Sequence, residues 1–277
     1  DHREMLEETK PDAVAIASPH TLHMEHAMDA FAADCHILLE KPMVTSVREA
    51  RELLSKRDEL EKLLIVSYQR HYLPAYRYVA EAIGRGEIGD VEYVAGLQSQ
   101  SWVQQTAGSW RQDPRFSGGG QLIDSGSHLI DIIMYAVNEE IAGVLAYQTN
   151  LGTPVNVNSA ISIRFQNGAL GTISVVGHGP DGMGEDISFY GSKGTILLRT
   201  PTFKAGQGQE TIVTHENHKT GPVDIRFPEE STPDQNFIDA IRSNTKILAP
   251  GESGLRVIQV TEAAMRSASS GREEVPD

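Results

Sequence analysis

The chain has 277 residues, 39% of them hydrophobic and 22% charged, and carries a formal net charge of -14. This length can bury one large core or two modest ones, and the acidic balance argues against nucleic acid or anionic membrane as a partner. Cys35 is the only cysteine, so no internal disulfide forms and a reducing, cytoplasmic setting is expected. No apolar run is long enough to span a bilayer.

Asp1–Lys10 reads as the tail of a helix. The apolar run Asp12–Ala17 after Pro11 predicts a buried strand that ends at Ser18-Pro19. Thr21 is expected to cap a helix from Leu22 to Ala33, with Met24, Ala27, Met28 and Phe31 on its inner face. A second strand, Cys35–Leu39, runs into Glu40-Lys41-Pro42. Ser46 then caps a helix to Leu60 with Val47, Ala50, Leu53 and Leu54 inward, and Leu63–Val66 is a third strand. This alternation predicts a parallel sheet with helical crossovers. Ser18-Pro19 and Glu40-Lys41-Pro42 then fall just beyond the carboxyl ends of strands, where open parallel sheets hold ligands.

Beyond Ser67 the rhythm changes. Pro74–Ile83 has helical spacing, and Gly84-Arg85-Gly86-Glu87-Ile88-Gly89 has the letters of a dinucleotide loop. Its context is reversed, with a helix before it and the strand Val91–Val94 after it, so it reads as a helix stop and a turn. Gln98–Trp102 and a polar loop with Trp110-Arg111 follow. Gly118-Gly119-Gly120 then feeds an apolar-periodic segment, Leu122–Val137, that predicts a helix with Asp124 and His128 four apart on one face and Asp131 close by. A carboxylate and an imidazole in register are a minimum kit for proton transfer.

Alternating strands follow: Val144–Thr149, Ser159–Phe165, Ala169–Val176, Asp186–Tyr190, Gly194–Arg199, Thr211–Thr214 and Val223–Arg226. They predict a large, mainly antiparallel open sheet. Two helices close the chain, one from Thr232-Pro233 to Arg242, the other from Glu252 to Ser270 before Gly271. The fold class is therefore α/β plus α+β. A partial Rossmann unit over 1–67 precedes an α+β unit over 68–277.

Three segments, in order, resemble the Gfo/Idh/MocA oxidoreductases. Ser18-Pro19-His20-Thr21-Leu22-His23 is similar to the family's T-P-N-x-x-H, with His20 where Asn is usual. Glu40-Lys41-Pro42 matches its E-K-P, and Gly118–His128 matches its G-G-G-x-L-x-D-x-G-x-H. The resemblance also implies a glycine-loop βαβ unit of about 30 residues or more ahead of Asp1. Residues 1–277 do not contain it, so dinucleotide binding by them alone is expected to be impaired.

The resemblance implies an enzyme that moves a hydride from a secondary hydroxyl of a sugar, inositol or related polyol to NAD or NADP. It implies Lys41, Asp124 and His128 as catalytic: His128 as base, Asp124 orienting it, and Lys41 stabilising the substrate oxygen. Ser18, Pro19, His20, His23, Glu40, Lys41 and Pro42 are expected on the cofactor side, with Pro42 in a tight peptide. Gln69, Arg70, Trp110 and Arg111 are expected in the sugar pocket, with the Asp181–Gly184 loop as a further rim. The histidine spacing does not suit a metal site. A homodimer or homotetramer through the open sheet is implied. The alternatives are a redox-assisted glycosidase of the same family and a non-catalytic truncated homologue.

Overall fold

The computed structural model describes residues 1–203 and 210–277. Helix α1 (His2–Thr9) leads to strand β1 (Ala13–Ile16), a turn at His20–Leu22, helix α2 (His23–Ala32), strand β2 (His36–Leu39), helix α3 (Val47–Glu59) and strand β3 (Leu64–Val66). The three strands pair in parallel in that order, as the strand–helix alternation predicts. Ser46 caps α3 by accepting from the Glu49 amide, and Val47, Ala50, Leu53 and Leu54 form its buried face. Thr21 does not cap α2. Its hydroxyl donates instead to the carbonyls of Arg115 and Phe116.

Helix α4 (Pro74–Gly84) and strand β4 (Val91–Gln100) follow. Gly86 and Gly89, at φ 72° and 74°, make the turn between them. β4 extends past the expected Val94. Gln98 and Gln100 are buried there because their amides reach Glu185 and Ser125. Two short helices, α5 (Trp102–Gln105) and α6 (Pro114–Ser117), with a turn at Trp110–Gln112 between them, occupy the expected polar loop.

Helix α7 spans Gly126–Val137, shorter than the expected Leu122–Val137. Leu122–Ser125 form a turn ahead of it. In that turn the Gln121 and Leu122 amides bond to Asn156, and the Asp124 and Gly126 amides bond back to the Gly120 and Gln121 carbonyls. Asp124 therefore stands before the helix and does not share a helical face with His128.

Strands β5 (Ile141–Thr149), β6 (Asn158–Phe165), β7 (Leu170–Val176), β8 (Met183–Gly191), β9 (Gly194–Phe203), β10 (Ile212–Asn217) and β11 (Gly221–Pro222) complete a sheet with β4, in the order β11-β10-β9-β8-β4-β7-β6-β5. Its pairs are antiparallel except β4 with β7. Val223–Arg226 is not a strand. Pro222 has no amide to donate, and pairing stops once the Val223 amide reaches the His215 carbonyl.

One face of this sheet packs on α7, close enough that a Cβ at Gly96 would strike Leu129 and Ile133. Tyr93, Leu97, Tyr147, Leu170 and Tyr190 are exposed on its strands. Helices α8 (Pro233–Ser243) and α9 (Gly251–Ser270) close the chain, capped at the expected Thr232 and Gly271. They also fold back on the parallel sheet: Phe237 packs with Leu38 and Ile65, and the Val66 amide bonds the Ala249 carbonyl. Among the described residues, no helix is long and apolar enough to cross a membrane.

Candidate active site

Lys41 stands two residues past the end of β2, and the Lys41–Pro42 peptide is cis. Facing it is the turn fed by the three glycines. Gly118 has φ 69° and lies against Thr45, while a Cβ on Gly120 would run into the backbone of Asn156. Only glycine admits this double approach, and it carries Asp124 under Lys41.

The Asp124 carboxylate is the hub of the site. Lys41 Nζ reaches Oδ1 at 2.8 Å and the Asp124 carbonyl at 3.2 Å. Trp102 Nε1 donates to Oδ2 at 2.9 Å, and Arg111 Nε comes within 3.2 Å of the same oxygen. Burial by itself raises the pKa of this carboxyl, but the Lys41 ammonium, with the Trp102 donor, overturns that and holds it well below the usual carboxylate range. A buried carboxylate with this set of donors stays ionised and holds the lysine ammonium in place.

Trp102 was not expected here. A lone tryptophan has no periodicity that marks its indole N–H for a carboxylate 22 residues away.

His128 is not held by Asp124. Its ring stands edge-on to Tyr68 at 5.9 Å, its Nδ1 is buried without a partner, and the side chain is half-buried. The expected orienting role of Asp124 is therefore corrected: its oxygens are committed to Lys41, Trp102 and Arg111. Asp131 is also paired elsewhere. His71 Nε2 lies 2.9 Å from both its oxygens, and His71 Nδ1 lies 2.8 Å from the Leu248 carbonyl. Burial opposes the His71 imidazolium, but Asp131 and the carbonyl outweigh it and raise its pKa.

His20 and His23 do not face an open nicotinamide surface, contrary to expectation. Both are buried, because their ring nitrogens satisfy backbone carbonyls. His20 Nδ1 donates to the Ser117 carbonyl at 3.0 Å, and its ring meets Trp110 edge-on at 4.7 Å. Burial pushes the His20 pKa down to about 3, against the pull of Asp124, so the ring is neutral. His23 stands 2.8 Å from the Pro42 carbonyl and 2.9 Å from that of Ser18. Burial lowers its pKa, and a neutral ring donates to one of the two. The histidines thus tie together the loops that follow β1 and β2.

Arg70 is likewise taken up by the fold. It forms a buried ion pair with Glu185 at 2.5 Å, and Tyr76 donates to the other Glu185 oxygen. A guanidinium so committed is not a free donor for a sugar. Gln69 is exposed and, with Ala15, Ala17, Glu40 and Ser67, lines a cavity of about 200 Å³ at the carboxyl ends of the parallel strands. Trp110 and Arg111 lie beside Asp124: the guanidinium stacks on the indole at 4.5 Å and touches Asp124.

The cavity at the strand ends has apolar walls of Ala15, Ile16, Ala17, Leu38 and Pro233 and polar groups from Glu40, Ser67, Gln69 and Asp234. That suits the flat, carboxamide-bearing end of a nicotinamide dinucleotide. The donors a pyrophosphate needs, a glycine loop at a helix N-terminus after a strand, are not found among the described residues.

Two family models match the chain. "Oxidoreductase family, NAD-binding Rossmann fold" covers residues 1–68, and "Oxidoreductase family, C-terminal alpha/beta domain" covers residues 80–276. An uncharacterized oxidoreductase of Synechocystis, sll0816, is 30% identical over 73% of this chain and 58% of its own length. D-glucoside 3-dehydrogenase of Escherichia coli is 24% identical over 98% of this chain and 81% of its own. Among solved structures, levoglucosan dehydrogenase in complex with NADH and levoglucosan superposes with a TM-score of 0.82 at 23% identity, covering 100% of this chain and 83% of that one. With both family models matched in order and the fold shared throughout, the chain belongs to the Gfo/Idh/MocA family of NAD(P)-linked oxidoreductases.

Proposed function

We propose that this protein transfers a hydride between a secondary hydroxyl of a sugar, inositol or related polyol and NAD or NADP. The observation that carries the reading is the Lys41–Asp124 pair, an ionised lysine held at the rim of a parallel sheet by a buried carboxylate. The E. coli glucoside dehydrogenase and the levoglucosan dehydrogenase, named for sugar substrates, support the same chemistry.

The bound nicotinamide would supply the hydride acceptor. Ser18, Pro19, Glu40, Pro42 and Gln69 would hold it over the strand ends, in a cofactor unit formed by residues 1–67, with the substrate unit in 68–277. Lys41 Nζ, fixed by Asp124, donates to the substrate oxygen and stabilises its alkoxide character. Trp110 and Arg111 flank the sugar. His128 accepts the hydroxyl proton at Nε2, its ring set by Tyr68 rather than by Asp124. The reading includes a cytoplasmic location and a homodimer or homotetramer built on the exposed aromatic face of the large sheet.

The test is net reduction of NAD or NADP by a panel of neutral and acidic sugars, inositols and other polyols, with Lys41→Ala as control. Lys41-dependent formation of reduced cofactor is expected. Equal rates in the two proteins would remove Lys41 from the mechanism, and no reduction by any member of the panel in protein shown by NADH fluorescence to bind the cofactor would remove the polyol reading.

A further inference from the structure

Arg111 is held in an unusual way. Its Nε lies 3.2 Å from Asp124 Oδ2, and its side chain remains 40% exposed. Its guanidinium carbon sits 4.5 Å over the Trp110 ring, and Trp110 is itself braced edge-on by the buried His20. Its two terminal nitrogens have no protein partner among the described residues. The fork is therefore anchored at one nitrogen and along one face, and its outer edge is left open beside the proposed reacting centre. A guanidinium fixed this way matches a planar or tetrahedral oxyanion in bidentate fashion with little further loss of side-chain freedom.

The charge balance points the same way. Lys41 and Arg111 both contact the single carboxylate of Asp124. The neighbouring Asp113 is engaged by Arg115, and Glu40 lines the cavity at the strand ends. Lys41 and Arg111 thus share one carboxylate at the proposed reacting centre, while Glu40 faces the strand-end cavity and the Lys41 amide. A neutral sugar gives the open edge of Arg111 no anion to pair with. An acidic one pairs with it while Lys41 engages its hydroxyl.

The geometry points to Arg111 as the residue that reads an anionic group on the substrate, so that this site takes polyols bearing a carboxylate or phosphate in preference to neutral ones. This rests on the polyol-oxidoreductase reading above.

The experiment compares D-glucose, D-glucuronate and D-glucose 6-phosphate in the cofactor-loaded protein, by calorimetric affinity and by kcat/KM. The two acidic arms distinguish carboxylate from phosphate. In the wild type at least one acidic sugar is expected to exceed glucose by about tenfold or more, and Arg111→Gln should collapse that ratio by about the same factor. Arg111→Lys, a point charge without the fork, should retain part of it. Wild-type preference for glucose, or equal loss on all three sugars in Arg111→Gln, overturns the proposal. Selective binding of the acidic sugars without any hydride transfer keeps the proposal and overturns only the oxidoreductase reading of the site.

Discussion

The Lys41 ammonium meets the Asp124 carboxylate at 2.8 Å across a sequence separation of 83 residues. The lysine comes from the end of a parallel strand and the aspartate from a glycine-fed turn. Neither segment holds its charge in place alone. Asp124→Asn is expected to lower kcat by about 10²–10⁴-fold, the scale on which a misplaced proton-handling group costs an enzyme. Lys41→Arg should not restore a Lys41→Ala loss, because the planar guanidinium cannot present the same compact charge. Steady-state rates of cofactor reduction check both.

Trp102 is buried and its indole N–H donates to Asp124 Oδ2 at 2.9 Å. Trp102→Phe keeps most of the ring and deletes the donor. A hydrogen bond to a charged group contributes about 1.5–3 kcal/mol, so urea unfolding should show a destabilisation of that size. Lack of any change would mean that another donor replaces the indole.

The Arg70–Glu185 pair should behave as part of the fold. Arg70→Met strands a buried carboxylate and is expected to cost about 3–5 kcal/mol. Arg70→Met combined with Glu185→Leu should recover most of that cost, since neither member then leaves a lone buried charge. Denaturant midpoints of the single and double variants decide this. A double variant no more stable than Arg70→Met would show that the pair does more than balance charge.

The His71–Asp131 pair gives stability a pH dependence. The folded-state pKa of His71 is raised, with Asp131 outweighing the effect of burial. Its contribution is therefore complete below the unfolded value of about 6.5 and is lost as pH rises through the folded value. Denaturant midpoints measured from mildly acidic to alkaline pH should fall over that window, and His71→Gln should flatten the fall. An unchanged slope in His71→Gln would assign the dependence to other groups.

On the outer face of the large sheet Tyr93 pairs in register with Tyr190 on one side and Leu170 on the other, and all three are exposed. If copies associate through this face, Tyr93→Glu with Tyr190→Glu places charge at the centre of the contact. Sedimentation should then show a smaller assembly than the wild type. The same mass for both proteins would move the interface elsewhere.

The sequence by itself determined the elements whose cause is local. The parallel pairing of β1, β2 and β3 followed from alternating apolar runs and helical spacing, the α3 and α8 starts from Ser46 and Thr232, and the rejection of the Gly84–Gly89 loop from its flanking elements. The family was legible because its three segments kept their order, and those segments hold both Lys41 and Asp124. Tertiary structure alone decided which partners those side chains meet. Asp124 left the helical face of His128 for the turn ahead of the helix, whose Gln121 and Leu122 amides are tied to Asn156, 32 residues on. Arg70 passed from the sugar pocket to the core because Glu185 lies 115 residues away in sequence but beside it in space. A hydrogen bond or ion pair is set by distance after folding, and periodicity along one segment carries no record of what the far segment brings.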